Sequence, residues 1–290
     1  MTAPMFKTLA IMLAAGVAIG AASATPRRAQ VALPDLVTLA PAAFSYRLPG
    51  EFLKAGLPVD APVATTEFAR PTLIMTHGVS VAEYDACVSA GACAPADNGG
   101  FTASDLPVTG VNFIDAEAYA AWLSTETGVR FRLPTDAEWA FAAGSRFVDD
   151  AVGVAEDPYN PAIRWLKRYE QMVAARGETV PGVKPRGFFG ANEHGVVDMA
   201  GNVWEWTSTC YARNRADADG GVGQPTENCG VRVAEGRHRA YVSFFIRDAK
   251  GGGCAAGAPP DFLGFRLVRD NPAPMSLRGI GNWLGRFIGS

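Results

Sequence analysis

The hydrophobic and polar positions follow two different patterns along the chain. In residues 25–84, short apolar runs are interrupted every few residues by proline or glycine, which predicts short strands separated by turns. Farther along, apolar residues recur at helical spacing, which predicts helices. The predicted helices cover Ser80–Ala90, a segment from about Asp115 to Gly128, a segment after Thr135, and Asp157–Gly177. Short strands, a few helices and long loops together predict an α+β domain.

Local residues mark where three of these helices begin or end. Glu83 follows Ser80 by three residues, and Glu138 follows Thr135 by three, which is the spacing of a capping box. Gly128 is placed to end its helix, because glycine readily adopts the left-handed conformation found there.

The first 24 residues have the build of a secretory signal peptide. Lys7 precedes an apolar run from Leu9 to about Ala21, and the small residues Ala22-Ser23-Ala24 follow. The run is shorter than the roughly 20 residues of a membrane-spanning helix. We therefore expect cleavage after Ala24, in preference to a retained anchor, and an exported protein that is periplasmic in a Gram-negative cell.

Composition narrows the class of partner. After cleavage about 265 residues remain, enough for one large domain or two small ones. The net charge of −3 gives no excess of basic residues, which argues against a nucleic-acid partner. Residues 271–290 form an amphipathic tail, in which docking on the domain itself is favoured over contact with a membrane or a partner. Its apolar stripe contains Leu277, Ile280, Trp283, Leu284 and Phe287.

Five cysteines in an exported chain indicate disulfides. Sequence proximity suggests the pairs Cys87–Cys93 and Cys210–Cys229, although four cysteines permit three connectivities. Cys254 is left over. Such a residue is usually buried or paired between molecules, and a reactive thiol is the alternative.

The nine residues Asp198–Trp206, "DMAGNVWEW", combine two tryptophans with two carboxylates. A strand buried on both faces would exclude Asp198 and Glu205, and a surface loop would not normally carry two indoles. A turn wrapped around a hard cation, with Trp204 and Trp206 packed to either side as anchors, accounts for both. A hydrogen-bonded turn without an ion is the alternative.

Three segments in order carry a family resemblance: "RLPTDAEWAFAAG" (132–144), "DMAGNVWEWT" (198–207) and "LGFRLV" (263–268). They resemble the hallmark segments of the formylglycine-generating enzyme family, the sulfatase-modifying-factor domain, over residues 33–270. The resemblance implies a loop-rich variant of the C-type-lectin-like fold with a small twisted sheet and structural calcium.

The resemblance also assigns ligands to calcium. Asp198 and Glu205 would bind through their side chains, and Gly201 and Val203 through their carbonyl oxygens. Calcium takes six to eight oxygen ligands, and a tight turn can aim alternate carbonyls inward.

Four charged residues in the same segments are expected to form buried ion pairs that hold loops in place, in preference to a catalytic role. They are Arg132, Asp136, Glu138 and Arg266.

The chain departs from the family at its copper site. The authentic enzymes hold copper with two cysteines shortly before "GFR", and the equivalent positions here are His238 and Ser243. A serine hydroxyl is a poor ligand for Cu(I), which prefers thiolates. Cys254 lies well downstream. Formylglycine generation through a cysteine pair is therefore not expected, and His238, Ser243 and Cys254 remain the candidate catalytic residues.

Copper or iron binding stays open. His77, His194 and His238 are the only histidines, and they would have to meet through the fold to share a metal. Arg237 and Arg239 flank His238 and are suited either to an anionic group or to a solvated surface.

Two functions are compatible with these residues. The first is an accessory or maturation factor that binds an exported redox enzyme, of the copper nitrite reductase type, or a peptide segment. The second is a metal-dependent oxidoreductase acting on a peptide or small molecule, including formylglycine-type or pyoverdine-maturation-type chemistry.

Overall fold

The structure is a computed structural model. It describes residues 31–154, 160, 162–177, 181–216, 222–248 and 262–271. These residues all belong to one unit, Val31–Ser290. The predicted signal peptide, Cys254 and the C-terminal tail lie outside the described residues.

Short strands dominate the first part of the chain, as the interrupted hydrophobic pattern predicts. The strands are β1 (Leu36–Leu39), β2 (Ala42–Arg47), β3 (Glu51–Lys54), β4 (Leu57–Val59), β5 (Val63–Phe68), β6 (Thr72–Met75), β7 (Phe131–Arg132), β8 (Trp204–Ala216), β9 (Thr226–Glu235), β10 (Ala240–Ser243), β11 (Leu263–Gly264) and β12 (Val268–Arg269). The helices are α1 (Val81–Ser89), α2 (Phe113–Thr127), α3 (Asp136–Ala143) and α4 (Ala162–Gly177).

The described strands form three sheets. One has the order β1-β6-β12-β7, a second β10-β9-β8-β3-β4, and the third pairs β2 with β5. In the second sheet β8 pairs antiparallel with β9 and parallel with both β3 and β11. The long strand β8 therefore connects distant parts of the chain, and the α+β assignment is confirmed.

The helices begin where their capping residues predict. Ser80 with Glu83 and Thr135 with Glu138 both form complete capping boxes. The helix α2 begins two residues earlier than expected because Asn112, not predicted as a cap, forms a capping box with Asp115. Gly128 then ends α2 at a φ of 69°, in the left-handed region.

The largest core cluster lies between α1, α2 and the β8–β9–β10 sheet, and it contains Trp204, Trp206, Phe265 and Leu123. A second cluster surrounds Trp139 of α3. Both predicted disulfides are present, Cys87–Cys93 and Cys210–Cys229. Across the described residues, no helix has the length and apolar character needed to cross a membrane.

Candidate functional site

The start of β8 sorts the "WEW" residues onto two faces. Alternate residues of a strand share a face, so Trp204 and Trp206 lie together, and both belong to the largest core cluster. The expectation that they pack to either side of the turn was wrong, because the turn has already become a strand at Trp204. Glu205 points to the opposite face, where it is 2% exposed.

Glu205 is the acceptor in a buried cluster that joins the three family-like segments; we call it the Arg266 cluster. Arg266 donates from Nε to Glu205 Oε2 at 2.6 Å and from Nη2 to Oε1 at 2.7 Å. Trp139 donates its indole N–H to Oε2 at 2.8 Å. Arg266 also donates to the backbone carbonyls of Met75 and Val197. A paired, fully hydrogen-bonded charge is the form in which a carboxylate tolerates burial.

A second buried arginine lies next to the first; Arg239 and its carboxylates are called the Arg239 cluster. Its guanidinium contacts Glu235 at 2.7 Å, Asp136 at 3.1 Å and Asp150 at 3.2 Å. The side chain of Arg239 is 0% exposed. The sequence left Arg239 open to a bound anion or a solvated surface; in the fold its anionic partners are carboxylates of the protein.

The Arg239 cluster has more carboxylates than its single guanidinium can neutralise. Asp136 Oδ1 and Glu235 Oε2 are buried and receive no hydrogen bond from an N–H or O–H donor of the described residues. Burial raises the pKa of Glu235 well above its usual value, and the charge of Asp136 and its hydrogen bond to Glu235 act in the same direction, against the attraction of Arg239. The raised pKa of Glu235 favours a carboxyl proton there, which would supply the missing donor between these two oxygens.

The remaining charged residues singled out in the sequence also hold the fold together. Arg132 donates two hydrogen bonds to the Glu138 carboxylate and one to Asp270, the residue that follows β12. These hydrogen bonds lower the pKa of Glu138 against the opposing effect of its burial. The prediction of ion pairs at Arg132, Asp136, Glu138 and Arg266 is confirmed, with Arg132 34% exposed rather than buried.

The turn before β8 is built from unusual backbone conformations. Asp198 and Ala200 have φ values of 59° and 58°, a region that side-chain-bearing residues rarely adopt. The carboxylate of Asp198 holds the turn by accepting the backbone N–H of Gly187 at 2.6 Å and of Phe189 at 2.8 Å. Gly201 is needed for a different reason: a β-carbon there would lie 2.8 Å from the ring of Phe189.

A cavity of about 340 Å³ lies where the segments on either side of residues 249–261 enter the fold; we call it the loop cavity. Phe101 and Phe262 pack edge to face across 5.3 Å on its wall. Arg247 stands beside them and is held by Asp115 at 2.8 Å. The full lining is Asp97, Asn98, Gly99, Phe101, Thr109, Gly110, Arg247, Asp248, Phe262 and Leu263.

Comparison with known proteins decides the family. The Sulfatase-modifying factor enzyme 1-like domain matches residues 21–271 of the chain. The chain belongs to this family.

Two curated relatives show how far the likeness extends. The chain is 41% identical over 115 residues to the formylglycine-generating enzyme of Mycobacterium tuberculosis, covering 38% of this chain and 36% of that protein. It is 32% identical over 167 residues to the inactive C-alpha-formylglycine-generating enzyme 2 of Bos taurus, covering 57% of this chain and 50% of that protein. The chain thus spans between about a third and a half of these relatives.

A solved structure shares the fold. The structure of PvdO from Pseudomonas aeruginosa superimposes with a TM-score of 0.53 at 23% identity, covering 82% of this chain and 95% of that one. The chain has the loop-rich, C-type-lectin-like fold of the sulfatase-modifying-factor family, with mixed sheets and few helices.

Within this family member, the two positions that replace the copper cysteines lie on either side of β10. His238 comes two residues before the strand, and Ser243 is its last residue. The ring of His238 packs against Trp204 with centroids 5.2 Å apart, and its Nδ1 lies 3.0 Å from the carbonyl oxygen of Arg239. Ser243 is 8% exposed. Cys254 lies outside the described residues.

The three histidines occupy separate places. His194 packs beside Phe141, at 5.8 Å between ring centroids. Burial lowers the pKa of His77, and the nearby guanidinium groups of Arg186 and Arg266 add to this effect. In the part of the chain that the structure describes, the single group of three metal-capable side chains is Cys210, Cys229 and Glu227, and those two cysteines form a disulfide.

The predicted calcium ligands have partners of their own. Glu205 accepts three hydrogen bonds and Asp198 two, out of about four lone pairs on each carboxylate. Lone pairs therefore remain on both residues, and an all-oxygen donor set suits calcium. The residues that would hold the ion are Asp198 and Glu205 with the carbonyls of Gly201 and Val203. Calcium binding at this turn stays a prediction.

Sequence reasoning missed the loop cavity and the burial of Arg239. A signal for the first was available, since Arg247 and Asp248 stand shortly before, and Phe262 shortly after, the glycine-rich segment 251–260, "GGGCAAGAPP". The second had no local signal, because the carboxylates of Asp136, Asp150 and Glu235 come from three separate segments.

Proposed function

We propose that this chain is an exported accessory or maturation factor for a redox enzyme of the copper nitrite reductase type. The observation that carries the proposal is that His238 and Ser243 stand where the resemblance places the two copper cysteines. Two thiolates on one Cu(I) ion are what the cysteine-pair chemistry requires. An imidazole and a hydroxyl at these positions do not provide them.

The loop cavity is the expected binding site for a segment of the partner. It is large enough for a small ligand or for a few side chains of an extended peptide. Its aromatic wall of Phe101 and Phe262 suits an apolar side chain, and Arg247 adds a charged edge. The inactive relative from Bos taurus supports the idea that this family includes members without catalysis.

The full chain carrying an affinity tag tests this function in an extract of exported proteins. We expect it to retain a copper enzyme, identified by mass spectrometry and by its copper content. Phe101→Glu should abolish retention, whereas Phe188→Glu, which changes a 57% exposed ring outside the cavity, should not. Recovery of nothing above background would contradict the proposal.

The second candidate function is a metal-dependent oxidoreductase acting on a peptide or small molecule, of the formylglycine or pyoverdine-maturation type. The active enzymes among the relatives favour it, including the hercynine oxygenase of Mycolicibacterium smegmatis, at 36% identity over 111 residues and 22% of that protein. This function requires that the protein bind copper or iron, and that His238→Ala or Cys254→Ser lower the amount of metal bound. Elemental analysis that finds neither metal would eliminate it.

A further inference from the structure

The helix α4 is oriented with polar side chains towards the rest of the domain. Arg164 is 8% exposed, and it donates to the Asp60 carboxylate at 2.6 Å and to the carbonyl of Val154 at 3.1 Å. Gln171 donates to the carbonyl of Ala151 at 3.2 Å. Arg164 and Gln171 are two turns apart and so share a face of the helix.

The opposite face of α4 is apolar and exposed. At 100° per residue, Trp165, Leu166, Tyr169 and Val173 fall within one arc of about 100° that points away from Arg164 and Gln171. Their exposed fractions are 64%, 48%, 53% and 52%. Trp165 and Tyr169 stack on each other at 5.7 Å between ring centroids. We call these four residues the outer face of α4.

Nothing in the described part of the domain covers this outer face. None of its residues belongs to any of the three core clusters of the described residues. An amphipathic helix normally buries its apolar side against the core. Here the polar side faces the domain, so the outer face is available to bind something else.

Charge indicates what the outer face binds. Residues 162–177 contain four basic residues and one acidic residue. Arg164 is paired with Asp60 and Lys167 with Glu170, so within the segment Arg168 and Arg176 supply the excess positive charge. Arg168 stands about 60° round the helix from Trp165, at one edge of the outer face. Tryptophan and tyrosine beside leucine and valine, with arginine at the edge, are typical of helices that lie in a membrane interface. A second copy would instead bring these like charges together.

We propose that the outer face of α4 binds the surface of a membrane that contains anionic lipid. The four apolar side chains enter the boundary between headgroups and acyl chains. Arg168, at one edge of the outer face, contacts the phosphate groups. The helix lies flat on the surface and does not span the bilayer.

Vesicle flotation of the full chain tests this directly. We expect binding to vesicles of phosphatidylcholine with 30% phosphatidylglycerol that is at least tenfold tighter than to phosphatidylcholine alone. Raising the salt concentration to 0.5 M should weaken it several-fold, because screening reduces attraction to the headgroups. Leu166→Glu combined with Tyr169→Glu should weaken it about tenfold or more.

A matched control separates the helix from a general effect of added charge. Ile114→Glu with Phe188→Glu introduces two carboxylates at side chains that are 54% and 57% exposed elsewhere on the domain. This variant should bind vesicles like the wild-type chain. Equal binding by the wild type and both variants would assign the membrane contact to another segment and overturn the proposal.

Hydrogen exchange gives a local readout that does not depend on substitutions. Peptides covering 162–177 should become protected when anionic vesicles are added to the wild-type chain. No protection there would overturn the proposal, even if the chain floats with the vesicles. A further outcome would also overturn the proposal. The chain could fail to bind vesicles but self-associate or capture another protein, and Leu166→Glu with Tyr169→Glu could abolish that association. The outer face would then be a protein interface.

Discussion

Two buried glutamates stand directly opposite each other on β8 and β9, and the protein satisfies them in different ways. Glu205 pairs in register with Glu235, so both side chains leave the same face of the sheet. Glu205 meets Arg266 and an indole N–H, with one carboxylate for one guanidinium. Glu235 shares Arg239 with Asp136 and Asp150.

The difference is one of charge balance. The Arg266 cluster pairs one carboxylate with one guanidinium, whereas in the Arg239 cluster three carboxyl groups share one guanidinium and burial favours a proton on Glu235. The helix α3 touches both clusters, since Asp136 and Trp139 lie one turn apart. One sheet face thus holds a one-to-one ion pair beside a cluster in which burial favours a protonated carboxyl, and the two should respond differently to substitution and to pH.

The largest effect is expected from breaking the fixed pair. Arg266→Met leaves the Glu205 charge buried without a counterion, so we expect the free energy of unfolding to fall by about 3–5 kcal/mol. Urea unfolding measures it. Arg213→Met is the control: it removes a partner of Glu51, and because the Arg213 side chain is 59% exposed the loss should be far smaller than that of Arg266→Met. Similar losses in the two variants would mean that Arg266 is not essential for charge balance.

The same substitution in the two clusters sharpens the comparison. Glu205→Gln removes a charge that Arg266 needs, and at pH 7 we expect a loss of about 2–4 kcal/mol. In Glu235→Gln an amide of the same shape replaces a carboxyl whose burial favours its protonated form, and at pH 7 we expect no loss. Urea unfolding of both variants and the wild type at pH 7 measures the two changes in the free energy of unfolding. Equal losses would contradict a proton on Glu235.

The pH dependence should differ in the same sense. Because the pKa of Glu235 is raised in the folded state, the stability it contributes is fully present below the unfolded value of about 4.5 and is lost as pH rises through the folded value. We expect the stability of the wild type relative to Glu235→Gln to fall above pH 5, by at most about 1.4 kcal/mol per pH unit. Unfolding free energies between pH 5 and 8 test this, and a constant difference would argue against it.

The smallest effect concerns calcium at the turn before β8. If the predicted ligands hold the ion, EDTA should lower the Tm of the wild type by about 3 °C, which corresponds to about 1 kcal/mol for a domain of this size. Asp198→Ala should be less stable and insensitive to EDTA. Calorimetry with and without added calcium measures both. A wild-type Tm that does not respond to chelator would remove calcium from the account of this fold.

Features fixed by neighbouring residues were predictable from the sequence. Both predicted capping boxes and the αL end of α2 formed as expected, because each is decided within a few residues. The disulfides were predictable for a similar reason, since each pair is close in sequence. The fold was predictable from the three segments that resemble the family.

Features that depend on residues far apart in the sequence could not be predicted from it. The partner of Glu205 is 61 residues away, and the partners of Arg239 come from three segments, so no local pattern reports them. The spacing in α4 predicted an amphipathic helix but not which side faces the domain. That choice depends on Asp60, 104 residues before Arg164.

The hydrogen bond from Arg266 to the carbonyl of Met75 joins residues 191 positions apart. On the ribosome, the early strands therefore emerge long before the guanidinium that ties them to β8. Until Arg266 is available, Glu205 has no counterion and must stay in contact with water. Final closure of the domain is thus a late event in the life of the nascent chain, and a protein truncated before "GFR" cannot complete it.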